Sequence, residues 1–281
     1  MAASRRARLK GLATRATTSA AARLGLDVVP RGPYSPLARV PAAGDPSWER
    51  RLDLPGLRLG LDAQAAFITD ALSAHVAAFA VPAPFRLGNP FYGPGDAELL
   101  FALLRHEPPL RILELGSGWS THIARAAAPD ADLVAVDPQP QLALPPGTRH
   151  EPIDVVQLPL DRFAALEAGD VLFVDTTHVV KRGGEVTRVV LGVLPRLRQG
   201  VRVHFHDVFL PYDYPQEIAD RYYSEQYLLA AHLLAGNPAL EPVLPAFYAT
   251  RTPDLKALTE RLRPAPPVEG WAFWLRTRER A

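Results

Sequence analysis

One stretch, Arg111-Ile-Leu-Glu-Leu-Gly-Ser-Gly-Trp-Ser-Thr121, limits what this chain can become more than any other. A short apolar run ends in an acid and two glycines, and the residues after it, Thr121 to Ala128, have helical composition. That order reads as a buried strand, a tight turn and a helix. Gly116 and Gly118 let the backbone turn and lie against a ligand without a Cβ in the way, and the start of the helix offers unpaired N–H groups. A second apolar run, Leu133 to Val136, delivers Asp137 about 20 residues past the glycines, the distance at which a carboxylate meets a ribose diol. The pattern describes a nucleoside pocket.

The missing residues narrow the ligand. A dinucleotide fingerprint needs a third glycine beside the pyrophosphate, and Thr121 holds that place. Glu114, just ahead of the turn, would repel phosphates and attract an amino group. A nucleoside carrying a cationic amino acid therefore fits better than NAD.

With Leu113-Glu-Leu-Gly-Ser-Gly118 and Val134-Ala-Val-Asp137, the chain resembles the class I S-adenosylmethionine-dependent methyltransferases. It is most similar to a bacterial small-molecule and glycan O-methyltransferase branch through Phe173-Val-Asp-Thr-Thr-His178 and His204-Phe-His-Asp-Val-Phe-Leu-Pro211. The resemblance runs from about Asn89 to Pro215 and departs from the family at its third glycine, which is Ser120 here. It implies that Glu114, Gly116 and Gly118 face the methionine part of S-adenosylmethionine and Asp137 the ribose. Ser117, Asp154 and Asp175 complete the implied cofactor set. The implied fold is α/β: a doubly wound, Rossmann-like seven-strand sheet, mostly parallel with an antiparallel last strand, behind a helical N-terminal extension.

Composition excludes several other classes. A net charge of +1 over 281 residues argues against a nucleic-acid binder. With no cysteine there is neither a disulfide scaffold nor a thiolate metal site. No apolar run reaches the 18 or so residues of a membrane span, and the cytoplasm is the default compartment. Two segments are expected, a basic N-terminal helix with a proline-rich linker over residues 1–60 and the methyltransferase domain over 61–281. In the first, Arg5, Arg6, Arg8, Lys10, Arg15 and Arg23 precede any acid, as in a transit peptide, a membrane-surface helix or a solvated helix packed on the domain or a second subunit. The prolines at 30, 33, 36, 41, 46 and 55 forbid a long helix there, and Tyr34 and Trp48 either cover the pocket or pin the linker.

Beyond the linker, Leu61 to Ala80 reads as an amphipathic helix, and Asp96 as the N-cap of a helix through Arg105. Asn89, Phe91 and Tyr92, in the loop before it, are either pocket residues or parts of a capping turn. Strands are expected at Arg149–Ile153, Val171–Val174 and Val201–Phe205, with helices at Leu160–Glu167 and Glu185–Leu197 between them. A helix over Gln216–Leu234, a strand over Pro242–Ala249, a helix over Asp254–Leu262 and a last strand over Trp271–Arg276 complete the count.

Open α/β sheets gather ligands at the carboxyl ends of their strands, where Asp175 ends the fourth and His206-Asp207 the fifth. Adjacent strands lie roughly 5 Å apart, which brings two carboxylates and an imidazole within reach of one cation. Asp175, His206 and Asp207 thus either hold Mg²⁺ or Mn²⁺, where an ion would acidify an acceptor hydroxyl, or line the pocket or brace its loops without a metal. His178, His206 and Asp207 form the expected catalytic set, with the two histidines as candidate bases. His204 shares a face with His206 and reads equally as a core residue; His122, His150 and His232 fall outside the cluster. The tyrosines from Tyr212 to Tyr227 suit a sugar or polyketide-like acceptor, or a second copy in a homo-oligomer. Two other functions fit the same pattern: a metal-dependent hydroxylase- or lyase-like enzyme on this fold, and a non-catalytic nucleoside-binding partner.

Overall fold

The computed structural model describes residues 17–29, 32, 35, 37, 40–235, 239–262 and 270–279. The arginines and lysine expected in a basic helix before residue 17, and Tyr34, lie outside them. The chain divides into two compact units, Met1–Ala43 and Gly44–Ala281. In the first, residues 17–22 are helical.

The second unit is built on seven strands. They are β1 Arg111–Leu115, β2 Asp132–Val136, β3 Arg149–Glu151, β4 Val171–Val174, β5 Arg202–Phe205, β6 Leu240–Pro245 and β7 Phe273–Thr277. Their order across the sheet is β3-β2-β1-β4-β5-β7-β6. Pairings from β3 to β5 are parallel, and β7 runs antiparallel to both of its neighbours. This is the doubly wound seven-strand methyltransferase fold expected from the sequence.

Strand alternation explains why helices cover both faces. Ile112, Val171 and Phe173 enter one apolar cluster with the helices Asp96–His106 and Trp119–Ala127. Leu113, Leu115, Leu172 and Val174 enter the opposite cluster with Phe163, Val189 and Leu229. Successive side chains point to opposite faces, so runs of apolar residues need cover on both sides. The helix at residues 61–77 is continuous, with a wider π turn at Phe67–Leu72, and another π turn, Val189–Val193, interrupts the helix that starts at Glu185.

Three elements differ from expectation. Asp96 is the first helical residue rather than the cap, which is Gly95; its carboxylate turns inward and accepts the N–H groups of Trp271 and Ala272. The Gln216–Leu234 segment is a 3₁₀ turn, Gln216–Arg221, and a separate helix, Glu225–Leu234. It breaks because Tyr222 adopts φ 55° and the Ser224 and Glu225 N–H groups both donate to the carbonyl of His178. Finally, β6 starts at Leu240 and gives way after Pro245 to a helix, Ala246–Arg251. Alternating apolar residues over so short a run do not separate strand from helix, and a proline at its start favours the helix.

Candidate active site

Parallel pairing sets four strand ends side by side. Past the ends of the strands, the N–H of Gly116 donates to Val136, that of Asp175 to Leu115 and that of His206 to Val174, each at 3.0 Å. Gly116 has φ 92°, and a Cβ there would collide with the carbonyl oxygen of Asp175. Only glycine lets the first turn approach β4 this closely.

Around that turn the sequence-marked residues do meet. Ser117 Oγ donates to Asp137 Oδ2 at 2.6 Å, and the N–H of Gln139 to Asp137 Oδ1 at 2.8 Å. Glu114 is 1% exposed; Ser120 Oγ donates to its Oε1 at 2.6 Å, while Oε2 is buried with no partner among the described residues. Burial, with Asp175 and Asp137 nearby, lifts its carboxyl to about 8. A buried, unpaired carboxylate oxygen beside a glycine turn is chemically complementary to an ammonium group. Gly118, at the helix N-cap, has no side chain to cap it, and its N–H donates to Thr121 Oγ1 at 2.9 Å. Asp154 stands apart on the exposed loop after β3, where it caps a short turn by accepting the N–H of Val156.

The second group is denser. His178 Nε2 lies 3.0 Å from Asp175 Oδ1 and its Nδ1 2.9 Å from Glu225 Oε2. His206 Nε2 lies 3.3 Å from Asp96 Oδ2, with Nδ1 3.5 Å from Asp207 Oδ1 and 3.7 Å from Asp175 Oδ2. Arg221 closes the far side, 3.6 Å from Asp207 Oδ2. His178 and Asp207 both hold φ 54°, outside the range ordinary for non-glycine residues. Strain of this kind costs about 1–3 kcal/mol per residue and gathers at functional sites.

His178 has a carboxyl group at each ring nitrogen, an arrangement that favours a proton on both. Burial works against its charge, but the bonds to Asp175 and Glu225 hold its pKa well above the usual histidine range. Burial also opposes charge on His206, and Asp207, Asp175 and Asp96 outweigh it to give about 9. The surrounding acids thus favour the charged form of both imidazoles. Asp175 shows the reverse: burial would raise it, yet His206 and His178 hold it at about 2.

Asp175, His206 and Asp207 do converge, as the strand order requires. Even so, no group of three or more His, Asp or Glu side chains among the described residues is arranged to hold a metal ion. The carboxylates already face imidazolium and guanidinium charges, so the repulsion that a divalent ion would relieve is met from within the chain. The side chains as placed do not fit a metal shell.

Of the other marked residues, Asn89 binds its own loop, donating to Arg86 and Tyr92 carbonyls and accepting the N–H groups of Phe91 and Tyr92. Phe91 is exposed, whereas Tyr92 is buried with its ring 4.9 Å from that of His206. His204 is buried, stacked on Phe173 at 3.9 Å and held neutral by its burial. His122 and His150 bond backbone carbonyls of Ala143 and Asp137. A cleft of about 670 Å³ lined by Arg58, Phe67, Glu107, Leu240 and Arg276 contains none of the groups above.

Residues 113–208 match the Methyltransf_24 family model, whose description is a methyltransferase domain. No curated protein sequence matches the chain. Among solved structures, the plantazolicin methyltransferase BpumL, in complex with a pentazolic desmethylPZN analog and SAH, is 12% identical, covering 77% of this chain and 95% of its own at a TM-score of 0.42. A Thermobifida fusca YX protein provisionally assigned as a methyltransferase is 18% identical, with 65% and 79% covered and a TM-score of 0.39. Human N-acetylserotonin methyltransferase, in complex with SAM, is 11% identical, with 79% and 66% covered and a TM-score of 0.35. No helix among the described residues is long and apolar enough to cross a membrane.

Proposed function

With a methyltransferase domain matched over residues 113–208, we propose that the chain uses S-adenosylmethionine to methylate a hydroxyl group of a small molecule or glycan. In this reading Glu114 takes the ammonium of the methionine part, Gly116, Ser117 and Gly118 line its backbone, and Asp137 receives the ribose hydroxyls. Asp154, which caps the turn after β3, completes the proposed cofactor set. The observation that carries the reading is the unpaired, buried Oε2 of Glu114 next to the glycine turn. Ionising that carboxyl is costly in the empty protein, and a cation relieves the cost.

S-adenosylmethionine supplies an electrophilic methyl on a sulfonium, and its leaving thioether is neutral, so no acid catalyst is required. The chain must instead orient the acceptor oxygen and remove its proton. Asp175, the most exposed acid of the second group at 31%, is the residue an acceptor can reach. Held at about 2, it is a weak base toward a resting hydroxyl but sufficient for the acidic proton of an oxygen already bonding to carbon. His178, His206 and Asp207 fix that carboxylate and balance its charge. The loop from Asp207 to Pro215 bounds the acceptor side, pinned where the side chain of Gln226 accepts the N–H of Phe209 and donates to the carbonyl of Tyr212.

The test is transfer of a labelled methyl group to a panel of hydroxylated small molecules and oligosaccharides, run with and without a chelator. The expected result is a methyl ether formed at the same rate in both. Turnover that stops on chelation and returns with Mg²⁺ or Mn²⁺ would restore the metal-assisted alternative. Binding without turnover on any acceptor would favour a non-catalytic nucleoside-binding role.

A second expectation concerns pH. Glu114 is protonated in the free protein below about 8, and an ammonium partner demands its ionised form. Binding of S-adenosylhomocysteine should therefore release a proton at neutral pH and strengthen as pH rises, being about fivefold weaker at pH 7 than at pH 8. Calorimetry in two buffers of different ionisation enthalpy reads that proton directly. Glu114→Gln should flatten the dependence; a flat profile in the unaltered protein would remove Glu114 from the ammonium site.

A further inference from the structure

An unbroken alternation of acids and imidazoles crosses the second group from one helix to another. It runs Asp96, His206, Asp175, His178, Glu225, with successive separations of 3.3, 3.7, 3.0 and 2.9 Å. Asp175 lies at its centre and is 31% exposed, while its four companions are all 4% exposed or less. The only member open to a substrate is thus braced from both sides.

Glu225 is the less expected end. Its side chain is 0% exposed, its Oε1 has no partner among the described residues, and its Oε2 bonds His178 alone. A carboxylate buried this completely costs several kcal/mol unless a counter-charge meets it, so it has no packing justification. The same residue also grips the main chain of its partner, since the Glu225 N–H donates to the His178 carbonyl at 3.0 Å beside that of Ser224 at 2.9 Å. Ring and backbone of His178 are both held from the first turn of the Glu225–Leu234 helix, which keeps the residue in its left-handed conformation.

We propose that Glu225 is a positioning residue for methyl transfer: it anchors Nδ1 of His178 so that Nε2 donates to Asp175 and keeps that carboxylate aimed at the acceptor oxygen. This rests on the reading of Asp175 as the acceptor-facing acid. It predicts that His178 is doubly protonated by construction, a fixed donor on both sides, and takes no proton from the acceptor. The residue that orders the reaction thus comes from a helix 47 positions away in the chain, on the acceptor side of the sheet.

Nitrogen-15 NMR of the full-length, histidine-labelled protein with S-adenosylhomocysteine tests this, the His178 signals being assigned by their loss in His178→Gln. At pH 7 both ring nitrogens of His178 should carry protons in the unaltered protein. Glu225→Gln should move the Nδ1 signal and lower the pH at which the ring loses a proton, while S-adenosylhomocysteine affinity changes by no more than about threefold. A neutral His178 ring in the unaltered protein overturns the proposal, and that measurement stands even if Glu225→Gln fails to fold. An unchanged, doubly protonated ring in Glu225→Gln overturns it as well. If the unaltered protein does not bind S-adenosylhomocysteine, the cofactor reading fails instead, and the ring-nitrogen pattern is still read on the free protein.

Discussion

Gly116→Ala is expected to lower folding stability by about 3 kcal/mol and to weaken S-adenosylhomocysteine binding by well over tenfold. Two causes add at this position. With φ 92°, a side chain is strained whatever space surrounds it, and the new Cβ would strike the carbonyl oxygen of Asp175 and lie 3.2 Å from its carbonyl carbon. Neither obstacle is the flexible end of a side chain. The Asp175 main chain is tied by its N–H to Leu115, and Gly116 by its own N–H to Val136, so relief means prising β1 from β4 or β2 at their carboxyl ends. Those ends carry Glu114, Asp137 and Asp175, and any splay moves all three. Urea unfolding and calorimetry check the two losses separately. A stability within about 0.5 kcal/mol of the parent with unchanged binding would mean that the turn is not what fixes the pocket.

The success of the sequence at this turn and its silence elsewhere have one physical origin. A strand, a glycine turn, a helix and an acid at the next strand end are consecutive in the chain, and each is set by local propensity and periodicity. The mostly parallel, doubly wound sheet followed because parallel units repeat that local pattern with right-handed crossovers. Glu225 and Asp96 had no such signature. The first reads as an acid in a tyrosine-rich segment and the second as a helix cap, and each meets its histidine only across 47 and 110 residues of chain. The break at Tyr222 was invisible for the same reason, since the carbonyl of His178 takes the two N–H groups that would otherwise start the helix earlier. The acid partners of His178 and His206, Glu225 and Asp96 among them, are supplied by no spacing rule. Conversely, Glu114 was readable both ways: its place before the turn marked it for an amino group, and the structure leaves one of its oxygens free.

Asp175→Asn should lower the rate of methyl transfer by a factor of about 10²–10⁴, the range that a positioned proton acceptor contributes. Before any acceptor is identified, the same substitution makes a sharper prediction about the two forms of the cofactor. S-adenosylmethionine carries a sulfonium charge that S-adenosylhomocysteine lacks, and Asp175 is the partly open acid of the second group. Loss of its charge should weaken the first ligand by about tenfold, roughly 1.4 kcal/mol after screening by the open side of the cleft, and leave the second nearly unchanged. The substitution also strips His178 and His206 of the acid that they share, so both should lose their protons at lower pH than in the parent. Acid sensitivity follows with a definite sign. A carboxyl held at about 2 in the folded chain contributes stability above its unfolded value of 3.8 and loses it as pH falls toward 2. In Asp175→Asn that limb of the stability curve should flatten, because the group that titrates there is gone. Equal losses for S-adenosylmethionine and S-adenosylhomocysteine would show that Asp175 senses no sulfonium, and the acid would then be a structural counter-ion to the two histidines rather than the residue on which the acceptor's proton arrives.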